Sequence, residues 1–129
     1  MGSARPFLIG HQWRRTATAV PVRNPFDGST VAEVCQAGAA EAEEAVSAAV
    51  AAFHVMRRLP AHVRAAALEK IAGTLTARRE ELARTITAEA GKPISDARRE
   101  TSRAIQTFTI AAEEAKRLPG EVVPLDLTP

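Results

Sequence analysis

Nucleophilic acyl or aldehyde chemistry needs at least a nucleophile, a base and an oxyanion donor. Cys35 is the single thiol in the chain. It sits between Val34 and Gln36, with no Lys, Arg or His within three residues to lower its pKa. That setting describes a small apolar residue in a strand. One cysteine also excludes an intramolecular disulfide and a Cys-based metal cluster. The three histidines, His11, His54 and His62, lack the i, i+4 spacing of a helical metal pair. Gly91-Lys92 invites comparison with a phosphate-binding loop, but that motif needs Gly where Ile86 stands and Ser or Thr where Pro93 stands. Gly-x-Gly-x-x-Gly is absent as well, so no self-contained nucleotide or metal site is expected.

The fourteen arginines raise the question of nucleic acid. They alternate with acids at helical spacing: Asp96 with Arg99, Glu100 with Arg103, Glu113 with Arg117. This is the pattern of a solvated helix face rather than a phosphate-tracking stripe. With one Trp and no Tyr there is no stacking platform either. A net charge of +2 excludes both an acidic tail and a polybasic arm. The expected partners therefore include neither nucleic acid nor membrane. The first residues carry no apolar signal segment, Pro6 breaks the myristoylation pattern, and no run approaches the length of a membrane-spanning helix. Together with the lone thiol, these features lead to a cytoplasmic expectation.

The elements that position these residues follow from proline placement and periodicity. Residues 1–6 are expected to be disordered. Residues 7–37 should hold short strands, Phe7-Leu8-Ile9, Thr16 to Val22 and Val31 to Ala37, with a turn at Asn24-Pro25-Phe26-Asp27-Gly28-Ser29. Residues 38–118 should be helical. The first helix, about 39–58, turns Ala42, Ala45, Val46, Ala49, Phe53 and Met56 to one face. A second opens at Pro60 with Val63, Ala67, Leu68, Ile71, Ala72 and Leu75 inward. A third starts near Thr76 or Ala77, buries Leu82, Ala83, Ile86 and Ala90, and stops at Gly91. The longest follows Pro93, with Ala97, Thr101, Ala104, Ile105, Phe108, Ala111, Ala112 and Ala115 in one stripe. Residues 119–129 read as an extended exit segment.

Alanine supplies 27 of the 129 residues and aromatics only 4%. Alanine favours helix but removes little surface from water, whereas a large apolar side chain contributes about 1.5–3 kcal/mol on full burial. The chain should be rich in helix and poor in core. Its longest apolar stripe, between Ile94 and Leu118, is expected to rest on polypeptide outside these residues. Alone, the chain should melt at low temperature or self-associate.

Several segments, in order, resemble the opening stretch of the NAD(P)-dependent aldehyde dehydrogenase superfamily. They are Asn24-Pro25-Phe26-Asp27-Gly28, Val31-Ala32-Glu33-Val34, the helix Ala45 to Phe53, and Arg64-Ala65-Ala66-Ala67-Leu68. Glu89-Ala90-Gly91-Lys92-Pro93 is similar to the family's Glu-x-Gly-Lys-Pro junction. Ala111-Ala112-Glu113-Glu114-Ala115 followed by Gly120-Glu121-Val122-Val123-Pro124 completes the likeness, which covers nearly everything after residue 6.

The resemblance implies an α/β family fold represented only by its N-terminal part, mainly α-helical with short N-terminal β-strands. Residues 38–118 would be the helical part of the cofactor-binding domain. In this family a Cys thiolate adds to the aldehyde, hydride passes to the nicotinamide, and a Glu-activated water releases the acid. Those catalytic and cofactor-binding residues belong downstream of this stretch, and Cys35 does not match the catalytic position. No catalytic, cofactor-binding or metal residue is therefore expected in this chain, which should be inactive alone. NAD or NADP is expected in a complete parent enzyme and not on this chain by itself. The expected partner is the remainder of an aldehyde dehydrogenase polypeptide, or another copy of the chain; an aldehyde substrate enters only in the complete enzyme.

By the same resemblance Arg103, on the helix after Gly-Lys-Pro, would sit near the tunnel wall, as in members that accept anionic or phosphorylated aldehydes. The plainer alternative pairs Arg103 with Glu100 at the surface. Two other readings of the whole chain stay open: a non-enzymatic helical interaction module and a small nucleic-acid-binding helical protein.

Overall fold

Two short hairpins precede four helices in the computed structural model, which describes residues 4–118, 120, 121 and 123. Strand β1 (Phe7–Ile9) pairs antiparallel with β2 (Gln12–Arg14), and β3 (Ala19–Arg23) with β4 (Thr30–Cys35). The helices are α1 (Ala39–Met56), α2 (Ala61–Ala77), α3 (Arg79–Ala90) and α4 (Ile94–Glu114). The chain is thus mainly α-helical with short N-terminal strands, as the sequence implies.

Each boundary has a local cause. Between β3 and β4, Asn24 Oδ1 accepts from the Phe26 N–H at 3.0 Å, Asp27 Oδ1 accepts from the Ser29 N–H at 2.9 Å, and Gly28 takes φ +72°. This is the side-chain-supported turn chemistry of Asn, Asp and Gly. Gly38 opens α1, its N–H donating to Glu41 Oε2 at 2.8 Å. Pro60 and Pro93 stand immediately before α2 and α4, where a missing N–H leaves no helical bond unmade.

The strands depart from the expectation in four places, one being that β4 ends at Cys35, short of Ala37. Arg5 is not part of a disordered N-terminus: its N–H donates to the Glu33 carbonyl and its carbonyl accepts from the Cys35 N–H, a parallel bridge to β4. Thr16 to Thr18 is not strand, because the Thr16 hydroxyl instead caps the carbonyls of Thr18 and Gln36. Strand β2 went unforeseen, although Gly10, at φ +58°, marks the turn that creates it. The exit segment expected over 119–129 falls largely outside the described residues.

The packing centre lies among α2, α3 and α4. Ala65, Ala83 and Ala97 are fully buried, with Ala72, Ala112 and Thr101 nearly so. Alanines at these positions let the helix axes approach closely and bury backbone rather than bulk. Helix α4 carries the expected stripe, but it packs on α2 and α3 within this chain, with Ala104, Ile105, Phe108, Ala111 and Ala115 half-buried. The expectation that this stripe rests mainly on absent polypeptide is therefore corrected.

Helix α2 is rotated from the expected face. Ala65, Leu68, Ala72 and Leu75 turn inward, while Val63 and Ile71 are 38% and 40% exposed and Ala67 is exposed. On α3, Leu82, Ala83 and Ile86 turn inward but Ala90, beside the chain reversal at Gly91, is exposed. Helix α1 is the large exception. Its neighbour is β1, it buries no residue, and Val46, Phe53 and Met56 of its expected inward stripe are 58%, 57% and 56% exposed.

Candidate functional site

The junction between α3 and α4 gathers five charged side chains, Lys92, Asp96, Arg99, Glu100 and Arg103. Gly91 ends α3 in the left-handed region at φ +66°, its N–H donating to the Thr87 carbonyl. Only glycine suits that spot. A Cβ there would lie 2.7 Å from Pro25 Cγ, so the β3–β4 turn is seated against the junction. Pro93 then starts α4. The reversal brings Lys92 back along α4, where Nζ donates to Glu100 Oε2.

One turn further, Arg103 is exposed and its guanidinium has no hydrogen-bond or ion-pair partner among the described residues; its carbonyl accepts from the Thr107 hydroxyl at 3.0 Å. Arg99 is held by Asp96. Lys92, Asp96, Arg99, Glu100 and Arg103 line a depression of about 440 Å³. Three cations against two carboxylates leave this depression with a net charge of +1. The Lys92 hydrogen bond, reinforced by the charges of Lys92 and Arg103, holds the Glu100 carboxyl below its usual range. Chemically, such a site attracts an anion and offers Arg103 as its fork-shaped donor.

The sequence-based pairing of Glu100 with Arg103 is therefore corrected: Glu100 is taken by Lys92. The eight-residue separation spans a proline-initiated turn, which no helical spacing rule detects. Asp96–Arg99 forms as expected. Arg117 pairs with Glu114 at 3.1 Å rather than with Glu113. A second cluster ties α3 to α4. Glu80 accepts from Arg98 at 2.8 and 3.0 Å and from Arg84 at 3.2 Å, and these bonds lower its carboxyl from 4.5 to about 2.

Cys35 ends β4, buried at 9% exposure, and lines none of these clusters. His11, His54 and His62 are exposed, and among the described residues no group of three or more His, Cys, Asp or Glu is placed to hold a metal ion. No described helix is long and apolar enough to cross a membrane. The depression is lined by the Lys92–Glu100 and Asp96–Arg99 pairs and by Arg103, and Gly38, which opens α1, gives its N–H to Glu41.

The family model of the aldehyde dehydrogenase family matches residues 13–128. Among relatives, 3-sulfolactaldehyde dehydrogenase of Pseudomonas putida is 42% identical over 103 residues, covering 80% of this chain and 21% of that protein. Aspartate-semialdehyde dehydrogenase 1 of Pseudomonas canavaninivorans is 38% identical over 107 residues, covering 83% and 23%. The crystal structure of aldehyde dehydrogenase 21 from Physcomitrella patens, in complex with the reaction product succinate, superposes with a TM-score of 0.94 at 38% identity. That match covers 99% of this chain and 27% of the moss enzyme. The chain thus spans about a quarter of the length of the proteins it matches. It belongs to the aldehyde dehydrogenase family, of which it forms an N-terminal segment.

Proposed function

We propose that this chain serves as the N-terminal part of an NAD(P)-dependent dehydrogenase that oxidises an anionic aldehyde to a carboxylic acid, with Arg103 holding the anionic group. The observation that carries the enzymatic reading is the family match across residues 13–128. Residues 38–118 contribute helices to the cofactor-binding domain. The reacting thiol, the base and the cofactor contacts come from polypeptide beyond these residues, and the 129-residue chain alone does not turn over. A cytoplasmic location goes with this reading, on the strength of a single buried thiol.

The anionic preference rests on Arg103, an exposed guanidinium whose nearest carboxylate is already occupied. Two relatives are named for a sulfonated aldehyde and for aspartate semialdehyde, and a third binds succinate, so each handles a substrate or product bearing an anion. An Arg that grips a group remote from the reacting carbon binds ground state and transition state alike, so it acts on KM more than on kcat.

In the full-length enzyme, Arg103→Leu is expected to raise KM for a carboxylate-bearing aldehyde about 10- to 100-fold, the range of a lost charge-assisted hydrogen bond. A neutral aldehyde of the same length should be little affected; equal changes for both would remove the proposal. Aldehyde-dependent NAD(P)H production by the purified 129-residue chain would contradict the inactive-alone part. The exposed face of α1 also suits the second reading, a non-enzymatic interaction module. Full-length protein lacking aldehyde oxidation altogether would favour that module.

A further inference from the structure

We propose that Lys92 is a positioning residue for Arg103: by occupying Glu100 it keeps the Arg103 guanidinium open to a substrate anion. This inference rests on the reading of Arg103 given above. Glu100 and Arg103 stand three residues apart on one helix, the spacing at which a carboxylate and a guanidinium meet. Left to themselves they would pair, and the anion site would be self-blocked. The structure diverts Glu100 to Lys92 instead, through the least exposed ion pair among the described residues, its side chains 40% and 38% exposed.

Lys92 reaches Glu100 because of the junction that precedes it. Gly91 reverses the chain at positive φ, Pro93 opens α4, and Pro25 packs against Gly91 from the β3–β4 turn. The remaining cation of the depression, Arg99, is engaged by Asp96. Arg103 alone of the three cations is therefore without a carboxylate partner among the described residues. The i, i+3 spacing on one helix face puts Arg103 within reach of Glu100 if Lys92 were lost, and its charge already helps to keep that carboxyl ionised.

The test compares KM for a carboxylate-bearing aldehyde and for a neutral one in the full-length enzyme. Lys92→Met should raise the anionic KM about fivefold, the scale of one partly exposed ion pair, with kcat and the neutral KM unchanged. Lys92→Arg, which keeps the pair, should behave as wild type. Lys92→Met combined with Glu100→Gln should restore the anionic KM, because the competing carboxylate is gone. If Arg103→Leu raises the anionic KM selectively but Lys92→Met does not, the positioning role is overturned while the reading of Arg103 stands. Lys92→Met that raises both KM values, or fails to be rescued by Glu100→Gln, would make Lys92 merely structural. Arg103→Leu without a selective effect would overturn both.

Discussion

Helices α1 and α4 both carry an apolar stripe at helical spacing, α1 on an alanine-rich segment and α4 on a more polar one, and they meet different surroundings. On α4 the stripe finds partners within the chain: Ala97, Thr101 and Ala112 are buried, and Ala104, Ile105, Phe108, Ala111 and Ala115 are half-buried against α2 and α3. On α1 the stripe faces outward. Val46, Val50, Phe53 and Met56 are each more than half exposed, with Arg57 laid over the Phe53 ring at 5.5 Å as partial cover.

The difference lies in what stands beside each helix: α2 and α3 flank α4, whereas the main neighbour of α1 is the short strand β1. Alanines at Ala65, Ala83 and Ala97 allow close helix approach, so three neighbouring helices complete one another. The bulkier residues of α1 need a deep complementary surface, and the short hairpin β1–β2 gives only an edge, where Ala48 comes near Gly10. Covering such side chains is worth about 1.5–3 kcal/mol each. Periodicity dictates that a stripe exists; it does not say which polypeptide covers it. Helix α1, rather than α4, therefore carries the larger uncovered apolar face.

Substitutions on the two helices should separate their behaviour. The largest expected effect is Phe53→Ala in the full-length protein, about 3–5 kcal/mol by chemical denaturation if the ring is buried there. In the 129-residue chain the same change should fall within about 0.5 kcal/mol. Next comes Ala97→Leu, which overfills the packing around a fully buried alanine of α4 and should destabilise both forms by about 1–3 kcal/mol. Equal small effects at the two sites would erase the distinction.

Gly91→Ala should cost about 1–2 kcal/mol, since alanine is strained at φ +66° and its Cβ would meet Pro25. It should also weaken the Lys92–Glu100 pair that depends on this junction. The smallest effect concerns acid. The Glu80 carboxyl is depressed in the folded state, so its contribution is present above pH 4.5 and fades as pH falls toward about 2. Because the group is exposed, only a slight flattening of the acid-induced fall in Tm is expected for Glu80→Gln. An unchanged profile would show that Arg84 and Arg98 add nothing to the α3–α4 contact.

Much of the architecture was legible beforehand. The proline-free spans located α1, α4 and the α2–α3 stretch, and Gly91 and Pro93 marked the break between the last two helices, because caps and breakers act locally. The α2–α3 boundary, expected near Thr76 or Ala77, falls at Arg78. Facing was harder. On α2 the inward face depends on Ala65 and Ala72 meeting α4, a tertiary preference that overrode the larger Val63 and Ile71. Strand β2 was missed because three residues, Gln12–Arg14, carry too little pattern; Gly10 was the available signal. Arg103 was singled out by family resemblance. The part played by Lys92 became visible only once the chain reversal brought it beside Glu100.

We propose that the apolar face of α1, exposed here, is covered in a full-length aldehyde dehydrogenase chain. The most direct test is the rate at which a maleimide labels Val50→Cys in the isolated chain and in the full-length enzyme, with buried Cys35 as the internal reference. Fast labelling in the monomeric isolated chain and strong protection in the full-length enzyme are the predicted results. Equal rates in the two forms would contradict the account.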